Sequence, residues 1–93
     1  MTDERYHGHR NYETWAAYLW LTNKETSYFY WRGRASELLR NPDEAVYDLA
    51  QELREAIEDE CPLAEEASLY SDLLRAAVRE IDCRELAERF LES

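Results

Sequence analysis

His7 and His9, on either side of Gly8, are the residues in this sequence best suited to ligating a metal or moving a proton. They lack a third ligand at a telling distance, and a site needs converging groups. A solvated terminus is the favoured reading. If the segment folds back, a histidine stacked on aromatic rings is favoured over catalysis. Cys61 and Cys83 are the candidate nucleophiles. Neither has a histidine close by in the chain, and their spacing matches no zinc pattern. Both fall at helix boundaries, where a small packing residue is the expected role. The sequence has no Ser/His/Asp arrangement, glycine-rich phosphate loop or CxxC. Carboxylates abound, but no pair stands out by opposed environments, the condition for acid–base work. No catalytic residue, metal or cofactor is expected, and the chain is read as a non-enzyme.

The carboxylates carry the strongest signal. From Asp43 to Glu66 there are ten acids and one base, Arg54. Asp48, Glu52, Glu55 and Asp59 recur at i, i+4, i+7 and i+11, so on a helix they form one line, opposite Val46, Leu49, Leu53 and Ile57. Helical rise places i and i+4 about 6 Å apart, near the spacing of phosphates along one nucleic-acid strand. Like charges so placed repel by a few tenths of a kcal/mol per pair. Lysines would normally be interleaved, yet Lys24 is the only one in the chain. A solvated face is one reading. The other is an imitation of a nucleic-acid backbone, steered onto a basic surface. Glu44, Glu58 and Glu60 border the row and belong to the same candidate surface.

Nine of the twelve aromatic residues lie between Tyr6 and Trp31. Large rings at helical spacing in a small domain are usually core. Nine in 26 residues are more than one buried stripe can hide, so some stay exposed. Trp20 falls off the Trp15/Leu19 stripe, and Phe29 and Tyr30 flank the Tyr28/Trp31 stripe. Trp20 and Tyr30 are therefore taken as apolar contact residues for a partner.

These side chains need elements to hold them. Asn11 can cap a first helix, with Tyr12, Trp15, Ala16 and Leu19 on one face and Tyr18 and Leu21 widening it. Thr22 and Glu25 fit a capping box for a second helix, with Asn23 as the competing cap. Tyr28, Trp31, Ala35 and Leu38 would be its buried face, and Gly33 its weak point. Asn41-Pro42-Asp43-Glu44 opens a third helix. Val46, Leu49, Ala50, Leu53 and Ile57 run along it, and Cys61-Pro62 ends it. Pro62 can open a fourth, with a buried stripe of Ala67, Tyr70, Leu74, Ala77, Val78 and Ile81. Asp82 caps a short fifth helix containing Leu86, Ala87, Phe90 and Leu91. The expected fold is all-α: a compact single-domain bundle of about five helices with short connections. Residues 1–10 are read as a flexible N-terminal arm and 11–93 as a single helical domain.

Ninety-three residues suffice for one core and not two. The net charge is −10, with about +1 in residues 1–40 and −11 in 41–93. That balance argues against direct nucleic-acid binding, which calls for a basic face. No apolar run is long enough to span a membrane, and no signal segment is evident. A soluble cytoplasmic protein is expected.

Asn11-Tyr12-Glu13-Thr14-Trp15 followed by Leu19-Trp20-Leu21-Thr22-Asn23 resembles the N-Y-E-T-W…L-W-x-x-N signature of a family of small acidic proteins common in phages, plasmids and mobile elements. The stretch Leu73 to Ala87 is similar to that family's L-L-x-x-A-L-x-x-V-D/N-W-R-E-I-A ending, with Cys83 at the tryptophan position. The resemblance implies no catalytic residues. Its setting, together with the charge, resembles by class the inhibitors of host defence, anti-CRISPR and anti-restriction proteins. The expectation is a non-enzymatic inhibitor acting in the host cell. Glu44, Asp48, Glu52, Glu55, Glu58, Asp59, Glu60, Trp20 and Tyr30 would meet a basic groove on a CRISPR effector or other nuclease complex. The alternative is a helical interaction module, or a homodimer, docking through the aromatic N-terminal half with no defence role.

Overall fold

The computed structural model describes residues 6–61 and 68–92. Within them the chain forms five helices: α1 (Tyr12–Asn23), α2 (Glu25–Leu38), α3 (Pro42–Asp59), α4 (Leu69–Glu80) and α5 (Cys83–Glu92). The protein is an all-α single-domain bundle. The tightest pair is α3 against α5, and α2 packs on both. Leu49 and Leu53 are fully buried, and with Trp31, Ala35, Cys83, Leu86, Ala87 and Phe90 they make the core. Cys83 is thus a packing residue. Burial pushes its thiol pKa up, against the nearby Arg54 charge, which lowers it.

Capping residues set the helix starts. The Asn11 side-chain oxygen accepts from the Thr14 N–H (2.8 Å) and the Thr14 hydroxyl (2.6 Å). Pro42 occupies the first turn of α3, although Asn41 makes no side-chain bond to that helix's backbone. The Asp82 carboxylate accepts from the Glu85 N–H (3.0 Å) and caps α5. The expected cap of α2 is not formed. The Thr22 hydroxyl bonds back to the Tyr18 carbonyl (2.8 Å), and α2 starts after Lys24 with no side-chain cap. Lys24, at φ −90° and ψ 121°, is the single break between α1 and α2, leaving no room for a four-residue box.

Two buried faces also differ from the periodic reading. In α1 the packed side is Thr14, Ala17, Tyr18 and Leu21, whereas Tyr12 and Leu19 are exposed. This helix is apolar around most of its circumference, so periodicity cannot choose a face. The Thr14 hydroxyl settles it by accepting the Asp82 N–H at 2.8 Å. In α4, Tyr70 is 71% exposed, while Leu74, Ala77, Val78 and Ile81 are half-buried. That helix sits at the edge of the bundle and packs chiefly on α1. A reciprocal Ser68/Ser71 capping box opens α4, and Arg54 of α3 closes it, donating to the Val78 (2.6 Å) and Ile81 (2.5 Å) carbonyls. The proposed Pro62 start and Ala67 contact lie outside the described residues.

Residues 6–10, read above as part of a flexible arm, form a tight turn closed by reciprocal Tyr6–His9 backbone bonds of 2.6 and 2.8 Å. His7 (φ 50°) and Gly8 (φ 84°) both adopt left-handed conformations, as this turn type requires. The His7 ring lies 5.0 Å from Trp15 and the His9 ring 5.1 Å from Tyr18. Both histidines are therefore packed at a tilt against aromatic rings.

Gly33 lies mid-helix on the exposed side of α2, and a Cβ there would meet nothing within 4 Å. Gly33→Ala should raise the unfolding free energy by about 1 kcal/mol. A thermal melt should show the midpoint rising by about 4–8 °C.

Candidate functional site

The two candidate surfaces meet in one place. An open groove of about 1190 Å³ runs between the α1–α2 junction and the last turns of α3. Its floor is apolar: Leu21, Trp31, Ala56 and Ile57. One wall carries Trp20 and Tyr30, 73% and 58% exposed. The other carries Glu52, Glu55, Glu58, Asp59 and Glu60. Among the described residues, Lys24 is the only cation lining it. The break at Lys24 turns α2 back beside α1 and leaves both rings facing the end of α3. Seven of the nine sequence-derived residues line this groove. Glu44 and Asp48 do not; they stand nearer the N-terminus of α3.

The line of four carboxylates is interrupted at its second member. Arg34 of α2 grips Glu52 with both arms of its fork, Nε at 2.8 Å and Nη2 at 2.6 Å, and its Nη1 donates to Glu37. Glu52 is therefore neutralised within the molecule and is a structural residue at the inner end of the groove. The two residues are 18 apart in sequence, and no periodic signal joins them. Glu55, Glu58, Asp59 and Glu60 are exposed, and none makes an ion pair with a described residue. They also crowd the C-terminal end of α3, which has no basic residue in its last turn. A helix C-terminus carries partial negative charge. Four further anions there concentrate negative charge at this end of the groove.

The bond from Arg34, the largest effect, holds the Glu52 carboxyl below the ordinary glutamate value of 4.5, and the guanidinium charge acts in the same direction against partial burial. A carboxyl whose pKa is lower folded than unfolded stabilises the fold above about pH 4.5. It loses that contribution as pH falls through the folded value. Glu52→Gln should therefore cost roughly 1 kcal/mol at pH 7. In urea unfolding the gap to the parent protein should narrow below pH 4.5 and close once the parent carboxyl is protonated.

A second polar cluster lies under the N-terminal turn. His9, 4% exposed, shares a 2.6 Å hydrogen bond between Nδ1 and the Glu85 carboxylate. The other Glu85 oxygen accepts the Arg10 N–H at 2.8 Å, and Arg89 Nε approaches at 3.3 Å. Arg89 also donates to the Gly8 carbonyl at 2.7 Å. Beside it, the Asn11 amide donates to the Glu80 carbonyl at 2.7 Å. Asn11 and Thr14 of the first quoted motif thus bond directly to the segment containing Asp82 and Glu85 of the second. The cluster is a clasp between the chain's two ends. None of its residues lines the groove, and its buried polar side chains all have partners among the described residues. No group of three or more His, Cys, Asp or Glu among the described residues is placed to hold a metal.

Fold and site define a small acidic helical bundle with an aromatic-rimmed anionic groove. The chain belongs to the family of unknown function DUF7249, matched over residues 2–84. That span includes both walls of the groove and the N-terminal side of the clasp, and stops one residue short of Glu85. No curated protein and no solved structure matches the chain. Among the described residues, no helix is long and apolar enough to cross a membrane.

Proposed function

We propose that this protein is a non-enzymatic inhibitor of a host nucleic-acid-handling complex, of the anti-CRISPR kind, acting in the cytoplasm. Its groove would occupy a basic surface that otherwise holds DNA. The observation that carries this reading is the convergence of Glu55, Glu58, Asp59 and Glu60 with Trp20 and Tyr30 on one groove. Closely spaced unpaired anions steer and orient a cationic partner. The rings and the apolar floor supply desolvated contact of the kind found at binding hot spots. Phosphate imitation is confined to the end of α3, because Arg34 removes Glu52 from the row.

The test is competition. A CRISPR effector complex is titrated with labelled duplex DNA at fixed salt, with and without this protein in excess. Displacement of DNA, weakening steeply between about 0.05 and 0.3 M salt, is the expected result. Undiminished DNA binding across effector complexes and restriction nucleases would overturn the reading. One observation favours a second reading: Phe29 is exposed on α2 outside the groove. That suits an interaction module or homodimer joined through the aromatic half. In that case Trp20→Ala and Tyr30→Ala would weaken association more than any acidic substitution, and light scattering would show a dimer.

A further inference from the structure

We infer that the groove is a receptor for arginine side chains, discriminating them from lysine; this rests on the proposed docking to a basic partner and specifies its chemistry. The molecule shows how it holds its own guanidinium groups. Arg89 stacks over Tyr18, its Cζ 5.7 Å from the ring centre, while its Nε reaches Glu85. Arg32 lies 5.6 Å over Tyr28 and bonds its hydroxyl at 2.8 Å. Arg34 forks onto Glu52 at the groove's inner end. Rings of α1 and α2 and carboxylates of α2, α3 and α5 are thus the groups the fold already fills with arginine, and at Arg89 a ring and a carboxylate act together.

The groove repeats those parts, and among the described residues the only guanidinium held there is that of Arg34 at Glu52. Trp20 and Tyr30 stand on the α1–α2 wall, and Glu55, Glu58, Asp59 and Glu60 on the α3 wall. A guanidinium is planar and weakly hydrated. It can lie against an indole or phenol face while its edge donates two bonds to a carboxylate. An ammonium can satisfy the carboxylates, but its tight hydration shell weakens the ring contact. The volume exceeds the roughly 300–1,000 Å³ of a small-molecule pocket, which suits a peptide segment with more than one such side chain.

The probes are two labelled hexapeptides of equal charge, hexa-arginine and hexa-lysine, titrated by fluorescence anisotropy against the full chain at about 0.1 M salt. Hexa-arginine should bind about tenfold tighter. Trp20→Ala with Tyr30→Ala should bring the two affinities within about twofold, with the helical circular dichroism unchanged because both rings are exposed. Glu55→Gln with Asp59→Asn should weaken both peptides alike. Asp43→Asn with Glu44→Gln, outside the groove, should leave both unchanged, which separates the groove from general attraction to an anionic protein. Equal affinity for the two peptides, or a preference that survives loss of both rings, would overturn arginine recognition. If the peptides bind equally and still need Glu55 and Asp59, docking to a basic partner stands without it. If neither binds, both readings fall.

Discussion

Replacing Glu85 by alanine should cost about 3 kcal/mol of folding stability, a large loss for a residue outside the apolar core. The carboxylate is nine-tenths buried and serves His9, the Arg10 N–H and Arg89 together. Its removal strands a buried imidazole, a backbone donor and part of a guanidinium's bonding at once. A domain of this size has a total stability of about 5–14 kcal/mol, so such a loss is a large fraction of it. In thermal melts the midpoint should fall by at least 12 °C. His9→Ala should cost less. The double variant should be no more than slightly worse than Glu85→Ala, because both changes release the same turn. A loss below 1 kcal/mol for Glu85→Ala, or full additivity, would show that the clasp is not a unit.

That clasp marks where sequence reasoning ran out. The motif residues Asn11, Thr14, Asp82 and Glu85 were visible as a pattern, and their individual capping roles were legible: Asn11 for α1, Asp82 for α5. In a simple capping box the Glu85 side chain would turn back to the Asp82 N–H. Here the Thr14 hydroxyl, from 68 residues away, takes that N–H, and Glu85 binds the N-terminal turn instead. Spacing along one helix cannot report a partner on another. The same limit hid Arg34 from Glu52.

Elements with one strong apolar stripe were read correctly from periodicity. α3 and α5 bury the residues their spacing predicts, and Trp31 and Ala35 of α2 go inward as expected. In α1, Tyr18 and Leu21 pack inward as expected whereas Tyr12 and Leu19 stay exposed, because the helix has too many apolar residues to define one face. In α4 only Tyr70 departs from the expected stripe among the described residues, because an apolar stripe says which side is greasy and not whether anything covers it. The exposure of Trp20 and Tyr30 was legible, since rings off the stripe have nowhere to go. That they face the α3 carboxylates across a groove was not, because it depends on the one-residue break at Lys24.

The substitution with the largest expected effect on function is the triple reversal Glu55→Lys, Glu58→Lys and Asp59→Lys. Glu52 is left intact, because a lysine there would face Arg34 and damage the fold. All three positions are exposed and near the C-terminal end of α3, where anions oppose the helix dipole and repel each other at i, i+3 and i+4. Lysines there would favour the dipole by about 0.3–1 kcal/mol each at low salt. The reversed protein should therefore be at least as stable as the parent, with its midpoint a few degrees higher in dilute buffer and the gain shrinking as salt is added. On the proposed function, competition with DNA for a basic surface should fall by at least about 100-fold, since three attractions become repulsions. A solvated surface kept only for solubility would show the stability change without the loss of binding. An anionic cluster that works against its own helix, and whose reversal strengthens the fold while abolishing docking, is one held for a partner. A variant that competes as well as the parent would remove the groove from the function.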